Sequence, residues 1–356
     1  MSSRTDIIRN FDPSGVGLEN GNFCGLPFDW DTANVILLGV PWEVTVSYHA
    51  GTAAGPAAML KASPQLDLYD LDFPDGWQQG IYMRPPPEWI LELNDQLRPL
   101  AAQIITATES GVDLTADLQL SAQLTQINQA CERVNQWLYN SATAALAAGK
   151  WVGTIGGDHS IPLGLIRGLA TIHEKFGILH IDAHADLRQA YQGFPYSHAS
   201  IMHRVLDIPQ MVRLVQVGIR DISHGEVATI QQSQGRIQAH YDAQLKAQRF
   251  EGASWKQLCQ QIIEPLPDKV YISFDVDGLD PKLCPHTGTP VPGGLELDEA
   301  FYLIREIVNS DRQLIGFDVS EVGDRDWDGN VAARIVYKLC NLMGRSHHRH
   351  RQQPRQ

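Results

Sequence analysis

FGILHIDAHAD, residues 176–186, holds both the scaffold and the chemistry of this chain in miniature. Its first half is short, apolar and β-branched, the composition of a strand buried on both faces. Its second half places Asp182, His184 and Asp186 at alternate positions, which an extended backbone turns to one side. The same design recurs along the chain. WVGTIG (151–156) leads into Gly157-Asp158-His159-Ser160, KVYISF (269–274) into Asp275-Val276-Asp277, and QLIGFDV (313–319) into Ser320-Glu321. NVILLGV (34–40) and VRLVQVG (212–218) are further apolar runs. Helix-like segments such as HASIMHRVLD (198–207) and ELDEAFYLIREIVNS (296–310) separate them, and the stretch from Pro99 to Ala148 is mostly helical by pattern. Strands alternating with helices predict an α/β domain with a mostly parallel sheet and helices on both faces.

Ligands of open α/β sheets bind beyond the carboxyl ends of the strands. Here four strands deliver acids and imidazoles to that edge. Carboxylates that converge on a buried strand end raise one another's pKa and need compensation. A divalent cation is the usual compensation. Carboxylate and imidazole without thiolate suit Mn²⁺ or a similar first-row ion better than structural zinc. Six candidate ligands, His159, Asp182, His184, Asp186, Asp275 and Asp277, are too many for one ion and suit two that share carboxylates. His180 lies inside its strand and reads as a packed or outer-layer histidine. Asp158 and Asp280 read as residues that orient loops or ligands.

The composition limits what else the chain can be. Its 356 residues include 28 Lys+Arg and 41 Asp+Glu, a formal charge of −13 that excludes nucleic acid and anionic membrane as main partners. With 43% hydrophobic and 19% charged residues, most of the chain is not disordered. No run of about 18 apolar residues predicts a membrane span, and the N-terminus lacks a signal-peptide core. Five scattered cysteines without a CxxC pair fit a reduced, cytoplasmic compartment. The expected organisation is an N-terminal arm (1–33), a catalytic domain (34–343) and a disordered basic tail (344–356).

GGDHS, DAHAD and SFDVDGLDP, followed by HTGTPVPGG, resemble the ureohydrolase family of arginases, agmatinases and related guanidino hydrolases. The resemblance covers roughly Asn34 to Cys340. It implies a three-layer α/β/α arginase/deacetylase-type fold, two divalent ions per subunit (Ni²⁺ or Mn²⁺), and a homo-oligomer, trimer or hexamer. By that resemblance His159 and Asp186 bind one ion, His184 and Asp277 the other, and Asp182 and Asp275 bridge them. Glu321 matches the acid that binds the substrate guanidinium, His198 the loop histidine that shuttles protons, and Thr289 a residue lining the pocket. The delocalised charge of a guanidinium makes its carbon a poor electrophile. Metal activation of water answers that need. The resemblance thus implies a catalytic set of His198, Asp186 and Glu321, acting on a small cationic guanidino substrate.

The substrate is narrowed by departures from the arginase pattern. Where arginases contact the α-amino and α-carboxylate groups, this chain has Arg188, Phe194 and Ser223, which argues against arginine. In LRQAYQGFPYSHAS, the rings of Tyr191, Phe194 and Tyr196 either line the pocket or pack the loop. FDPSGVGLENGNFCGLPFD and SEVGDRDWDGNVAARIVYKLCNLM resemble a long-form branch that includes cyanobacterial-type guanidine hydrolases, which implies nickel. Guanidine, cleaved to urea and ammonia, is the expected substrate. Agmatine and guanidino acids are the alternatives. Zinc deacetylases share the fold but need one metal and lack the paired ligand set. A catalytically silent assembly subunit is the non-enzyme alternative, and the complete ligand set argues against it.

Overall fold

The computed structural model describes residues 3–352. Eight strands form one sheet: β1 (Val35–Val40), β2 (Ile81–Arg84), β3 (Trp151–Gly156), β4 (Phe176–Ile181), β5 (Met211–Ile219), β6 (Ile237–Tyr241), β7 (Lys269–Asp275) and β8 (Gln313–Ser320). Their spatial order is β2-β1-β3-β8-β7-β4-β5-β6. Every pairing is parallel. The described helices are α1 (Arg4–Asn10), α2 (Gly55–Ala62), α3 (Glu88–Glu109), α4 (Leu118–Ala147), α5 (Leu163–Leu169), α6 (Ile201–Leu206), α7 (His224–Gln232), α8 (Asp242–Phe250), α9 (Trp255–Ile263), α10 (Leu297–Asn309) and α11 (Asp326–Gln352). They cover the sheet in a three-layer α/β/α arrangement.

The inner strands are apolar because both of their faces are covered. β1, β3 and β4 are buried along their whole length. The four strands whose ends carry the acids and imidazoles, β3, β8, β7 and β4, lie side by side at the centre. That adjacency turns motifs far apart in sequence into one edge.

Three parts of the fold are not written in local sequence pattern. First, β2 and β6 carry no apolar run. Each is an edge strand with one neighbour, and both are only partly buried, so little selects for hydrophobicity there. Second, the arm belongs to the core. Phe23, Leu26 and Phe28 are buried in it. The Asn22 amide donates to Ile81 O and accepts from Met83 N at 2.9 and 2.8 Å, completing hydrogen bonds along β2. Third, the tail expected to be disordered from residue 344 is helical through Gln352. Ser346 Oγ accepts from Leu314 N at 3.1 Å, and the His347 ring stacks on Trp151 at 4.4 Å. Polar composition suggested a solvated end, but these side chains find partners on β8 and β3. Residues 353–356 lie outside the described part. All five cysteines are buried and free. No helix among the described residues is long and apolar enough to cross a membrane.

Glycine lets two site-bearing strand ends approach. A Cβ on Gly278 would sit 2.6 Å from Asp182 N and 2.9 Å from Asp182 Cα. Gly278→Ala is expected to cost about 1–3 kcal/mol, the scale of overpacking in a filled core. Gly225→Ala, where a Cβ meets nothing within 4 Å, is expected to leave the melting temperature unchanged or slightly raised. Thermal denaturation of the two variants checks this contrast.

A buried acid and imidazole cluster forms a candidate metal centre

The cluster is built from turns that follow the central strands. After β3, Asp158 Oδ1 accepts from the Ser160 amide at 3.0 Å and so shapes the turn that aims His159 inward. After β4, the His184 amide donates to Asp182 Oδ1 at 2.6 Å. After β7, the Asp277 amide donates to Asp275 Oδ1 at 2.8 Å, and Asp277 Oδ1 accepts from Ala183 N at 3.0 Å. The first contacts shape each turn, and the last fastens the end of β4 to that of β7.

His159 Nδ1 lies 2.9 Å from Asp182 Oδ2, 3.1 Å from Asp186 Oδ2 and 3.3 Å from Asp275 Oδ2. One nitrogen can donate one proton, so three carboxylates around it are not satisfied by the imidazole alone. On the neighbouring side, His184 Nδ1 lies 3.0 Å from Asp277 Oδ2 and 3.5 Å from Asp182 Oδ1. Two groups of donors result. His159, His180, Asp182 and Asp186 form one, and Asp182, His184 and Asp277 form the other. Within each group the candidate ligand atoms lie within 4.8 Å of one another. Asp182 belongs to both. Asp275 is in neither group but stands beside His159.

The electrostatics show what is missing from the protein alone. Burial, reinforced by Asp277 and Asp182, pushes the Asp275 carboxyl far up. Burial and Asp182 push Asp186 up to about 6. Burial alone would raise Asp182 too, but His180 and His159 hold it well below the usual range. Burial disfavours a charged His159, yet Asp182, Asp186 and Asp318 hold its pKa well above normal. A cluster that must take up protons to remain neutral is one that divalent cations fit. All-N/O donors accept Mn²⁺, Ni²⁺ or Co²⁺.

Glu321 adds a second signature. It is buried and adopts a left-handed backbone (φ 64°), as does Asp186 (φ 55°). Such backbone strain in non-glycine residues concentrates at functional sites. Glu321 Oε1 accepts from His159 N at 2.9 Å, while Oε2 has no partner. A Cβ on Gly288 would come within 2.7 Å of that free oxygen, so the glycine keeps a slot open.

A cavity of about 240 Å³ opens onto His184 and Asp186. Thr289 and His198 line it, as do Ser47, Tyr48, Asp221 and Glu226, which sequence reading missed. Ser47, Tyr48 and Asp221 come from loops with no motif. Glu226 was legible only as the end of a Ser-x-x-Glu capping box, in which Ser223 Oγ bonds its Oε2 at 2.7 Å. Ser223 is thus occupied as a helix cap. Of the loop aromatics, Tyr191 lines the cavity, Phe194 is packed in the core, and Tyr196 lies outside the lining. Thr289 Oγ1 is 3.4 Å from Asp277 Oδ2. His198 Nε2 is 3.4 Å from Ser47 Oγ, and its Nδ1 is buried without a partner. Burial first, then His184 and His159, lower its pKa to about 3. It therefore enters neutral rather than as the ready acid its ordinary pKa suggests.

A cation-binding set of acids and imidazoles at the open end of a parallel sheet, beside a free carboxylate in a slot, defines a metal-dependent hydrolase. A family model described as Arginase family matches residues 33–341. The N(1)-aminopropylagmatine ureohydrolase of Thermus thermophilus is 30% identical over 318 residues, 88% of this chain and 92% of that protein. The guanidinobutyrase of Pseudomonas aeruginosa is 34% identical over 207 residues, 54% of this chain and 60% of its own. The solved structure of proclavaminate amidino hydrolase from Streptomyces clavuligerus shares the fold, with a TM-score of 0.70 at 23% identity over 94% of this chain and all of that one. The chain belongs to the arginase family. It is a metal-dependent amidinohydrolase, a ureohydrolase of guanidino compounds.

Asp182→Asn, at the acid common to both donor groups, is expected to lose retained divalent metal while its far-UV dichroism stays native. Elemental analysis after gel filtration checks it. Raised carboxyls hold protons that compete with metal, so affinity must fall with falling pH. The rise in melting temperature caused by metal is expected to grow between about pH 5 and pH 7, as Asp186, pushed up to about 6, gives up its proton.

Proposed function

We propose that the chain uses two divalent ions to hydrolyse a small guanidino compound, with guanidine the preferred substrate. His159 and Asp186 would hold one ion, His184 and Asp277 the other, and Asp182 and Asp275 would lie between them. The ions supply positive charge that activates water near neutral pH. The remaining steps fall to side chains. Glu321 would grip the guanidinium through its free Oε2, opposite the open edge of Gly288. Water adds its oxygen to the guanidinium carbon, one C–N bond breaks, and the products are urea and ammonium. His198, a neutral imidazole, would accept the proton released by water and pass it to the departing nitrogen. Asp186 would orient the water by a hydrogen bond.

The preference for guanidine rests on one observation at the mouth. The Arg188 guanidinium lies over the Tyr191 ring, 4.9 Å from its centroid, and both residues line the cavity. Its Nε lies 3.9 Å from the buried Glu226 carboxylate. A fixed cation there opposes the distal ammonium of agmatine. Two unit charges about 6 Å apart near a surface repel by about 1–3 kcal/mol. Guanidine has no distal group. A second reading is favoured by Asp221, an exposed carboxylate in the same lining that would suit the amine end of agmatine or a longer polyamine. The same Arg188 would suit the carboxylate of a guanidino acid.

Metal-loaded enzyme incubated separately with guanidine, agmatine, arginine and 4-guanidinobutyrate is expected to release urea fastest from guanidine. Far better turnover of agmatine overturns the preference while leaving the reaction class intact. Arg188→Glu is expected to raise kcat/KM for agmatine by about tenfold, the equivalent of 1.4 kcal/mol, and to leave guanidine turnover within a few-fold.

A further inference from the structure

HTGTPVPGG and the segment SEVGDRDWDG meet beside the Glu321 slot, and two of their residues, His286 and Asp328, have no part in the reaction so far. Asp328 stands in the first turn of α11 and is 0% exposed. An acid there is ordinarily satisfied by the free amides of its own helix. Among the described residues, the hydrogen bonds of Asp328 go instead to one residue 42 positions earlier in the chain. Its Oδ1 accepts from His286 N at 2.9 Å, and its Oδ2 lies 2.8 Å from His286 Nδ1. Two oxygens committed to the backbone and the ring of one residue fix both its place and its orientation. The His286 side chain is itself 51% exposed. Burying a carboxylate is costly, and a surface histidine needs no such anchor for its own sake. The reason lies in what His286 carries with it.

His286 opens the turn that forms one wall of the slot. Gly288 follows two residues later, where a Cβ would sit 2.7 Å from Glu321 Oε2. Gly288 O accepts from His49 N at 3.2 Å, so the loop that brings Ser47 and Tyr48 to the cavity leans on the same point. Thr289, next in the chain, lines the cavity. On the other side, a Cβ on Gly323 would collide with His286 O, so His286 is wedged against the backbone that carries Glu321. Residues 281–290 contain no helix or strand, and side-chain ties must set their course. The anchor itself is firm. A Cβ on Gly329 would lie 2.7 Å from Ala58 O, which places the first turn of α11 hard against α2. Trp327 Nε1 adds a second tie to the same loop, donating to Lys282 O at 3.2 Å.

We propose that Asp328 is a positioning residue for substrate, which holds His286 so that Gly288 and Thr289 keep the guanidinium slot at its working width opposite Glu321. Asp328 and His286 line no part of the cavity and touch neither ion nor substrate. This role rests on reading Glu321 as the acid that grips the guanidinium. It goes further by placing control of substrate affinity outside the cavity, on the first turn of α11. A slot that widens loses its grip on the ground state and the transition state alike, which raises KM and spares kcat.

Urea release from guanidine, agmatine, arginine and 4-guanidinobutyrate by the metal-loaded full-length chain reads the effect, with kcat and KM taken for the compound that wild type cleaves fastest. Asp328→Ala is expected to raise KM about tenfold, the scale of one lost charge-assisted hydrogen bond, with kcat within about threefold and metal content unchanged. Asp328→Asn is expected to restore KM to within about threefold, because its amide can accept from His286 N and donate to Nδ1. A tie that only stabilises the fold would lower the melting temperature and the active fraction, and so lower kcat at an unchanged KM. That result overturns the proposal. Should Asp328→Ala fail to fold, His286→Ala at its half-exposed position carries the test, with KM expected to rise by about threefold or more. A wild-type KM in His286→Ala also overturns it. Wild-type protein that retains metal but releases urea from none of the four compounds sinks the guanidinium reading of Glu321 itself, an outcome distinct from active variants with an unaltered KM.

Discussion

One imidazole nitrogen surrounded by three carboxylates is the constraint around which this protein is arranged. His159 Nδ1 faces oxygens of Asp182, Asp186 and Asp275 within 3.3 Å, all of them buried. No assignment of protons makes that arrangement comfortable. Either the acids take up protons, as the upward shifts of Asp186 and Asp275 show, or a multiply charged cation sits among them. The rest of the fold keeps the carboxylates together despite their repulsion. Asp277 N bonds Asp275, Ala183 N bonds Asp277, and His184 N bonds Asp182, so backbone donors hold these three acids before any ion arrives.

The sheet provides the rigidity this requires. β3, β8, β7 and β4 are central, parallel and covered on both faces, so their ends cannot drift apart without tearing the core. Directly under the acids, the sheet changes from apolar to polar for one row, Thr154, Asp318, Ser273, His180 and Gln216, before returning to apolar. The row lies at 0% exposure, where polar atoms are costly, and several of its atoms are unpaired.

Much of this was legible in the residues. Apolar runs that end in DxHxD, GGDHS and DVD announced buried parallel strands and a cation site, because both features depend on local pattern. The edge strands were not legible, since IYMR and IQAHY have one neighbour each and need no continuous apolar face. The tail misled because its charged composition resembles a solvated end, although Ser346 and His347 find partners on β8 and β3. Asp318 was visible inside QLIGFDV, but its place beside Thr154, Ser273, His180 and Gln216 depends on register across five strands, which no single segment encodes. Ser47, Tyr48 and Asp221 reach the cavity from loops whose course is set only by the assembled sheet. His198 was found by position, yet its depressed pKa comes from burial and from two imidazoles brought close by folding.

Arg188, Tyr191 and the exposed Asp221 line the cavity, while the acids Asp182, Asp275 and Asp277 are buried. The deep cluster is common to every substrate reading, and its occupancy decides the account. Anomalous diffraction from crystals of the metal-loaded protein should show two peaks about 3.5–4 Å apart, the spacing of two-metal hydrolytic sites. One should lie beside His159 Nδ1 and the other beside His184 Nδ1, with Asp182 touching both. A single peak, or two peaks away from Asp182, would contradict it.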